Sequence, residues 1–74
     1  MSTPYIPSAG DIVSWQWYGR IISGTVKEVV ATKTTIHSKD ALVTRNGTPE
    51  NPAIIIEHKS GNDVIKLASE LLGP

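Results

Sequence analysis

The segment from residue 11 to residue 30 reads DIVSWQWYGRIISGTVKEVV. Its first part alternates apolar and polar side chains, and one face of the alternation carries Val13, Trp15 and Trp17. This period of two is the side-chain period of a β-strand. Tyr18-Gly19 then provides a turn, and residues 20–30 form a longer run rich in β-branched side chains. The segment therefore predicts an antiparallel β-hairpin with strands over residues 11–17 and 20–30.

The second of these strands has an irregular pattern. Strict alternation from Gly24 and Val26 would point Glu28 into the core. A β-bulge near Lys27 or Glu28 would instead return Val29 to the core, and a bulge also bends the strand as a small closed barrel requires. Glycine in the middle of a strand marks a sharp bend or a close approach of another backbone. We therefore predict a bulged, bent second strand.

The rest of the chain continues the pattern of short strands separated by turns. Three further strands are predicted at residues 34–37, at residues 52–58 around three consecutive isoleucines, and at residues 64–66, and one helical turn at residues 67–72. Five strands and one terminal helical turn predict an all-β fold, a small barrel over residues 10–72, preceded by a flexible tail over residues 1–9. The alternative is a true helix over residues 66–72 that packs on an open sheet.

A polar segment interrupts this pattern between residues 38 and 51. Asn46-Gly47 is a strong turn signal. If the segment is a long loop, its side chains and backbone at Asn46, Gly47, Glu50 and Asn51 would be free to hydrogen-bond a bound peptide. If residues 41–44 extend a ribbon, the segment is a hairpin that caps the barrel. Both alternatives stay open.

The amino-acid composition limits the classes of function that are open to the chain. The chain has 74 residues, enough for one domain, and no cysteine, which excludes disulfides and thiolate metal sites. His37 and His58 alone make a poor zinc site, so we expect neither a metal nor a cofactor. Seven basic and seven acidic side chains cancel, which weakens a nucleic-acid role without removing it. No apolar run is long enough to span a membrane, and no export signal is visible, so we expect a cytoplasmic protein.

Several short sequence motifs occur in a characteristic order. They read GDIVSW at residues 10–15, GRIISGTV at 19–26, RNGT at 45–48, ENPA at 50–53 and VIKLASEL at 64–71. In order and spacing the chain resembles the hypervirulence-associated protein Tudor domain family of small bacterial and fungal proteins. The resemblance covers residues 10–71. It implies a small SH3-like barrel of the Tudor type, which agrees with the strand count, and it implies little about the ligand.

The resemblance also directs attention to aromatic side chains. Tudor domains more broadly bind methylated lysine or arginine in an aromatic cage, through cation–π contacts of about 0.5 to 2 kcal/mol each. Trp15, Trp17 and Tyr18 lie where such domains begin their cage. The usual aromatic residue of the second strand is absent, since Ile21 and Ile22 occupy that region. For Trp15 and Trp17, the alternative role is filling the core of the barrel.

We thus predict a non-catalytic binding module that holds an extended peptide of a protein partner. The candidate ligand-binding residues are Trp15, Trp17, Tyr18, Arg20, Arg45, Asn46, Glu50 and Asn51. Nucleic-acid binding is the second hypothesis, with Arg20, Lys27, Lys39 and Arg45 forming a basic face rather than scattered solvated charges. A third hypothesis is an enzyme whose site forms only between copies of the chain. No catalytic motif is visible, and a homo-oligomer stays open.

Overall fold

The computed structural model describes residues 5–38 and 41–72. Within these residues, six β-strands are followed by a single turn of 3-10 helix. They are β1 (Ile12–Trp17), β2 (Arg20–Val30), β3 (Lys33–Ser38), β4 (Ala41–Asn46), β5 (Ala53–Glu57), β6 (Asp63–Leu67) and η1 (Ala68–Glu70). The predicted all-β class is confirmed, and the strand count is six because residues 41–46 form a strand of their own. The terminal helical turn is confirmed, and the alternative of a longer helix over residues 66–72 is wrong.

The strands form a curled antiparallel sheet and a separate two-stranded ribbon. The sheet has the order β1-β2-β5-β6, and the ribbon pairs β3 with β4. The curl brings β1 back to the end of the chain, where Trp15 forms an isolated bridge with Leu71 and the Leu72 amide donates to the Ser14 carbonyl at 2.8 Å. These contacts give the small barrel of the SH3-like, Tudor type that the sequence predicted.

The bulge predicted in β2 is present. Val26 pairs with Ile56 and Glu28 pairs with Ile55, so Lys27 is the extra residue on the bulged strand. Val29 consequently faces the core with the other inward side chains, and Glu28 remains exposed. The bulge therefore keeps the apolar face of β2 inward beyond the point where simple alternation would have reversed it.

Gly24 lies where β2 passes close to β5. A Cβ atom at this position would lie 2.6 Å from Cγ2 of Ile56 and 2.7 Å from the carbonyl oxygen of Glu57. The close backbone approach predicted for this glycine is therefore confirmed.

The core is a cluster of apolar side chains inside the curled sheet. Its buried members are Val13, Trp15, Val26, Ile54, Ile56 and Ala68. The three consecutive isoleucines of β5 point alternately to the two faces of the strand. Ile54 and Ile56 are fully buried on the inner face, whereas Ile55, on the other face, is half-buried. Its cross-strand neighbour Ile65 is buried, and β6 also contacts the β3–β4 ribbon.

The polar segment contains a hairpin strand, β4, and is not one long loop. Residues 41–46 pair with β3 over its full length, and the hydroxyls of Thr35 and Thr44 meet across the ribbon at 2.7 Å. Asn46-Gly47 is not a hairpin turn, because Asn46 ends β4 and Gly47 passes close to the backbone of Val30. The turn instead lies at residues 48–51, where Thr48 and Asn51 exchange two backbone hydrogen bonds.

Residues 5–9 contact the start of the barrel. The Asp11 carboxylate accepts hydrogen bonds from the Ser8 amide at 2.8 Å and from the Tyr5 hydroxyl at 3.4 Å, and Pro7 is buried. The predicted boundary between tail and barrel at residues 9 and 10 stays a prediction. Residues 1–4, Lys39, Asp40, Gly73 and Pro74 lie outside the described residues, so the predicted place of Lys39 in the basic face stays a prediction.

Candidate binding cleft

The turn between β1 and β2 carries an exposed aromatic pair. Tyr18 has φ +49° and Gly19 has φ +76°, so both central residues are left-handed, as a two-residue turn of type I′ requires. This turn projects the two rings from the end of the hairpin. The ring centroids of Trp17 and Tyr18 are 4.9 Å apart at an interplanar angle of 63°, an edge-to-face contact.

Tyr18 occupies a strained backbone conformation without being buried. Its side chain is 89% exposed. A bulky non-glycine residue in the left-handed region costs about 1 to 3 kcal/mol, and such strain is found at functional sites more often than elsewhere. Asn, Asp or Gly would satisfy the same turn at lower cost. Stability of the fold therefore does not account for a tyrosine at this position.

A cleft of about 450 Å³ opens beside Trp17 on the inner face of the curled sheet. Its apolar walls are formed by Trp15, Trp17, Ile22 and Val64. Ile22 and Val64 also pack against the core, so this wall is continuous with the rigid interior of the barrel. The volume lies in the range of roughly 300 to 1,000 Å³ that small-ligand pockets occupy.

The polar rim of the cleft comes from the turn between β5 and β6. Nδ1 of His58 lies 2.9 Å from the Ser60 hydroxyl and accepts the Ser60 backbone N–H at 3.2 Å, while the Asn62 amide donates to the same hydroxyl at 3.3 Å. Because Nδ1 accepts from a backbone N–H, the single N–H proton of the neutral ring sits on Nε2. This network fixes the turn and leaves the imidazole able to donate from Nε2.

The β3–β4 ribbon closes the cleft on one side. Ser38 lines the cleft, and its hydroxyl donates to the Asp63 carbonyl at 2.7 Å in a partly buried setting. This bond ties the end of β3 to the start of β6. Lys66, on the inner face of β6, completes the lining and is its charged member among the described residues.

The predicted site residues separate into two groups. Trp15 and Trp17 line the cleft, Tyr18 contacts Trp17, and Arg20 pairs with Trp17 across the hairpin. Trp15 is only 3% exposed, so it is mainly a core residue whose edge reaches the cleft.

The second group lies between β4 and η1 and is partly engaged within the fold. Arg45 Nε donates to Glu70 at 3.1 Å, and Asn51 bonds with both the Ser69 hydroxyl and the Ser69 amide. Asn46 and Glu50 are exposed. The structure thus gives Arg45 and Asn51 a role in holding η1, and the ligand-binding role predicted for this group stays a prediction.

Glu70 is the carboxylate on which these contacts converge. Burial alone would raise its pKa, but hydrogen bonds from the Leu67 amide and from Arg45, together with the positive charges of Arg45 and Lys66, outweigh burial and lower the pKa below its ordinary value. The Leu67 amide donates at 2.8 Å, which satisfies an N–H at the start of η1.

Several residues of the cleft were missed by sequence reasoning. They are Ser38, His58, Ser60, Asn62, Val64 and Lys66. The alternation of His58, Ser60 and Asn62 was visible, but it coincides with a turn signal that accounts for the same residue types.

A second groove of about 420 Å³ lies on the outer face, with Ile12 on one side and Glu57 and Lys59 on another. Among the described residues, no tryptophan or tyrosine lines it. No group of three or more metal-binding side chains comes together within residues 5–38 and 41–72. In the part of the chain that the structure describes, no helix has the length and apolar character needed to cross a membrane.

A small curled antiparallel sheet of this kind is the architecture of an SH3-like, Tudor-type barrel, a class of small binding modules. A family model described as "Hypervirulence associated proteins TUDOR domain" matches residues 10–71. The chain belongs to this family, and the resemblance predicted from the sequence is confirmed over the same residues. Comparison with curated proteins and with solved structures finds no match.

Proposed function

We propose that this protein is a non-catalytic cytoplasmic module that binds an extended peptide segment of a protein partner. The segment lies across Trp17 and Tyr18 and enters the cleft, whose floor is formed by Trp15. The observation that carries the proposal is the strained, exposed tyrosine at φ +49°, in edge contact with a half-exposed tryptophan at the mouth of an apolar cleft.

The physical case rests on how binding energy is distributed. Tryptophan, tyrosine and arginine dominate binding hot spots, because each combines a large apolar surface with a polar group. Trp17, Tyr18 and Arg20 supply all three within four consecutive residues of one hairpin. A rigid β-sheet scaffold holds them, so little conformational entropy is lost when a partner binds.

A hydrolytic role for the His58, Ser60 and Asn62 network has weak geometric support. Nδ1 of His58 already accepts the Ser60 backbone N–H, and the Asn62 amide bonds to Ser60 instead of orienting the imidazole. A catalytic triad needs the third residue on the opposite nitrogen of the histidine ring. The arrangement is better explained as the hydrogen bonding of a tight turn.

No described contact favours nucleic acid over peptide. Two members of the basic face predicted for that role are paired with carboxylates, Lys27 with Asp63 and Arg45 with Glu70, each at 3.1 Å. Nucleic acid is therefore kept as an outcome of the test.

The test is an amide and indole NMR titration of the full chain against a pool of short capped peptides, and then against a single-stranded oligonucleotide at low salt. We expect the peptide pool to shift the indole signal of Trp17 and the amides of Tyr18 and Asn62. Trp17→Ala should abolish the amide shifts of Tyr18 and Asn62, while Leu42→Ala, which removes an exposed apolar side chain from β4, should leave all the shifts unchanged. Silence with every peptide and shifts around Arg20 with the oligonucleotide would overturn the proposal.

A further inference from the structure

The charge of the cleft restricts its ligand, and this inference rests on the proposed function. Among the described lining residues, Lys66 is charged and positive, and no aspartate or glutamate joins it. Arg20 is the cross-strand partner of Trp17, so its side chain projects from the same face of the hairpin, but it does not line the cleft. The cleft thus presents one cation, Lys66, beside an aromatic wall.

Two described carboxylates beside this region, Asp63 and Glu70, are already engaged. Asp63 contacts Lys27 through both carboxylate oxygens, at 3.2 and 3.1 Å. Glu70 accepts from Arg45 and from the Leu67 amide, and Lys66 acts on it only through longer-range charge. Neither ion pair of the described residues includes Lys66, and no described carboxylate lies within 4.0 Å of its ammonium group.

The same features disfavour a methylated ammonium ligand. A cation held by π faces needs several open rings and gains from a nearby carboxylate. Here Trp15 is 3% exposed, Ile22 takes the place of an aromatic wall, and Lys66 would repel the ligand. A carboxylate ligand would find the opposite charge, and an apolar neighbour would contact Trp17 and Val64.

We propose that the cleft selects an acidic–apolar peptide motif, with a carboxylate side chain placed beside Lys66 and the adjacent apolar side chain placed against Trp17. The motif is recognised by charge complementarity at one end and by apolar contact at the other. A methylated lysine in the same place is rejected.

The test compares three pools of short peptides, capped at both ends and otherwise free of charged residues, whose central pair is Leu-Glu, Leu-Gln or Leu-trimethyllysine. Binding is followed by the Trp17 indole signal. We expect the Leu-Glu pool to bind roughly tenfold more tightly than the Leu-Gln pool, and the trimethyllysine pool to bind least. Lys66→Gln should abolish the preference for glutamate. Lys59→Gln, which makes the same change of net charge at an exposed position of the outer groove, should preserve it.

The possible outcomes distinguish the charge selection of the cleft from peptide binding itself. Equal binding of the Leu-Glu and Leu-Gln pools, or tightest binding of the trimethyllysine pool, overturns the charge selection and leaves the peptide-binding module standing. Failure of all three pools to shift any signal overturns both. Amide spectra of each variant establish that it is folded before its affinity is compared.

Discussion

Trp15 and Trp17 lie on the same face of β1, yet Trp15 is 3% exposed and Trp17 is 56% exposed. The difference follows from where the barrel closes. Trp15 forms the bridge to Leu71 that returns β1 to the end of the chain, and Trp17 lies beyond that bridge, where no strand covers it in the described part of the chain. The same inward face of one strand therefore supplies first a core residue and then a residue available to a ligand.

This relationship predicts that alanine substitution at Trp15 mainly lowers stability, whereas alanine substitution at Trp17 mainly weakens peptide binding. Trp15→Ala should lower the free energy of unfolding by about 3 to 5 kcal/mol, because a large buried side chain is replaced by a cavity. Trp17→Ala should change it by less than about 1 kcal/mol while abolishing peptide binding. Urea unfolding followed by far-UV circular dichroism measures both. Equal losses of stability would show that Trp17 belongs to the core.

The left-handed backbone conformation of Tyr18 is predicted to lower the free energy of unfolding. Tyr18→Asn should raise the free energy of unfolding by about 1 kcal/mol, since asparagine adopts the left-handed conformation of a type I′ turn more readily. The same substitution should weaken peptide binding because it removes the exposed ring. Tyr18→Phe keeps both ring and strain and serves as the matched control, with unchanged stability. Loss of stability in Tyr18→Asn would mean that the contact with Trp17 outweighs the strain.

The close approach at Gly24 is testable by adding one methyl group. Gly24→Ala places a Cβ atom 2.6 Å from an Ile56 side chain and 2.7 Å from a backbone oxygen, so β2 and β5 must move apart. We expect a loss of about 1 to 3 kcal/mol in the free energy of unfolding. Ser23→Ala, at the exposed neighbouring position, should stay within about 0.5 kcal/mol of the parent. Gly24→Ala as stable as Ser23→Ala would show that the strands separate freely.

The β1–β2 hairpin could be predicted from the sequence because its signals are local. The alternation up to Trp17 fixes the inward face, and the turn at Tyr18-Gly19 fixes the register. The bulge could be inferred as well, because without it Glu28 would be buried without a partner. Each of these arguments needs only residues that are close together in the chain.

Only the part of the cleft formed by β1 could be predicted from the sequence. The part formed by β6 and the β5–β6 turn depends on how far the sheet curls. Lys66 and Trp17 share the cleft although they come from opposite edges of the sheet. For the same reason, sequence reasoning assigned Arg45 and Asn51 to a ligand without seeing their partners. Those partners, Glu70 and Ser69, lie 25 and 18 residues away.

Glu70 predicts a specific dependence of stability on pH. Its pKa in the folded protein lies below the ordinary value, because the hydrogen bonds from Leu67 and Arg45 outweigh the effect of burial. Between the folded and the unfolded pKa, the unfolded chain therefore binds more protons. The stabilisation by Glu70 is then present above its ordinary pKa of about 4.3 and is lost as the pH falls through the lower, folded value.

The substitution Glu70→Gln tests the direction of this pH dependence of stability. The side chains of Arg45 and Glu70 are 30% and 36% exposed, so solvent screening limits the expected loss at neutral pH to about 0.2 to 1 kcal/mol. At acidic pH the difference between parent and variant should be smaller than at neutral pH, because the parent carboxylate becomes protonated as the pH falls through its folded pKa. Urea unfolding at both pH values measures it, with Glu28→Gln, an exposed position of β2, as the control that should differ little from the parent at either pH. A loss in Glu70→Gln that is the same at both pH values would assign the effect to packing of η1 rather than to the charge.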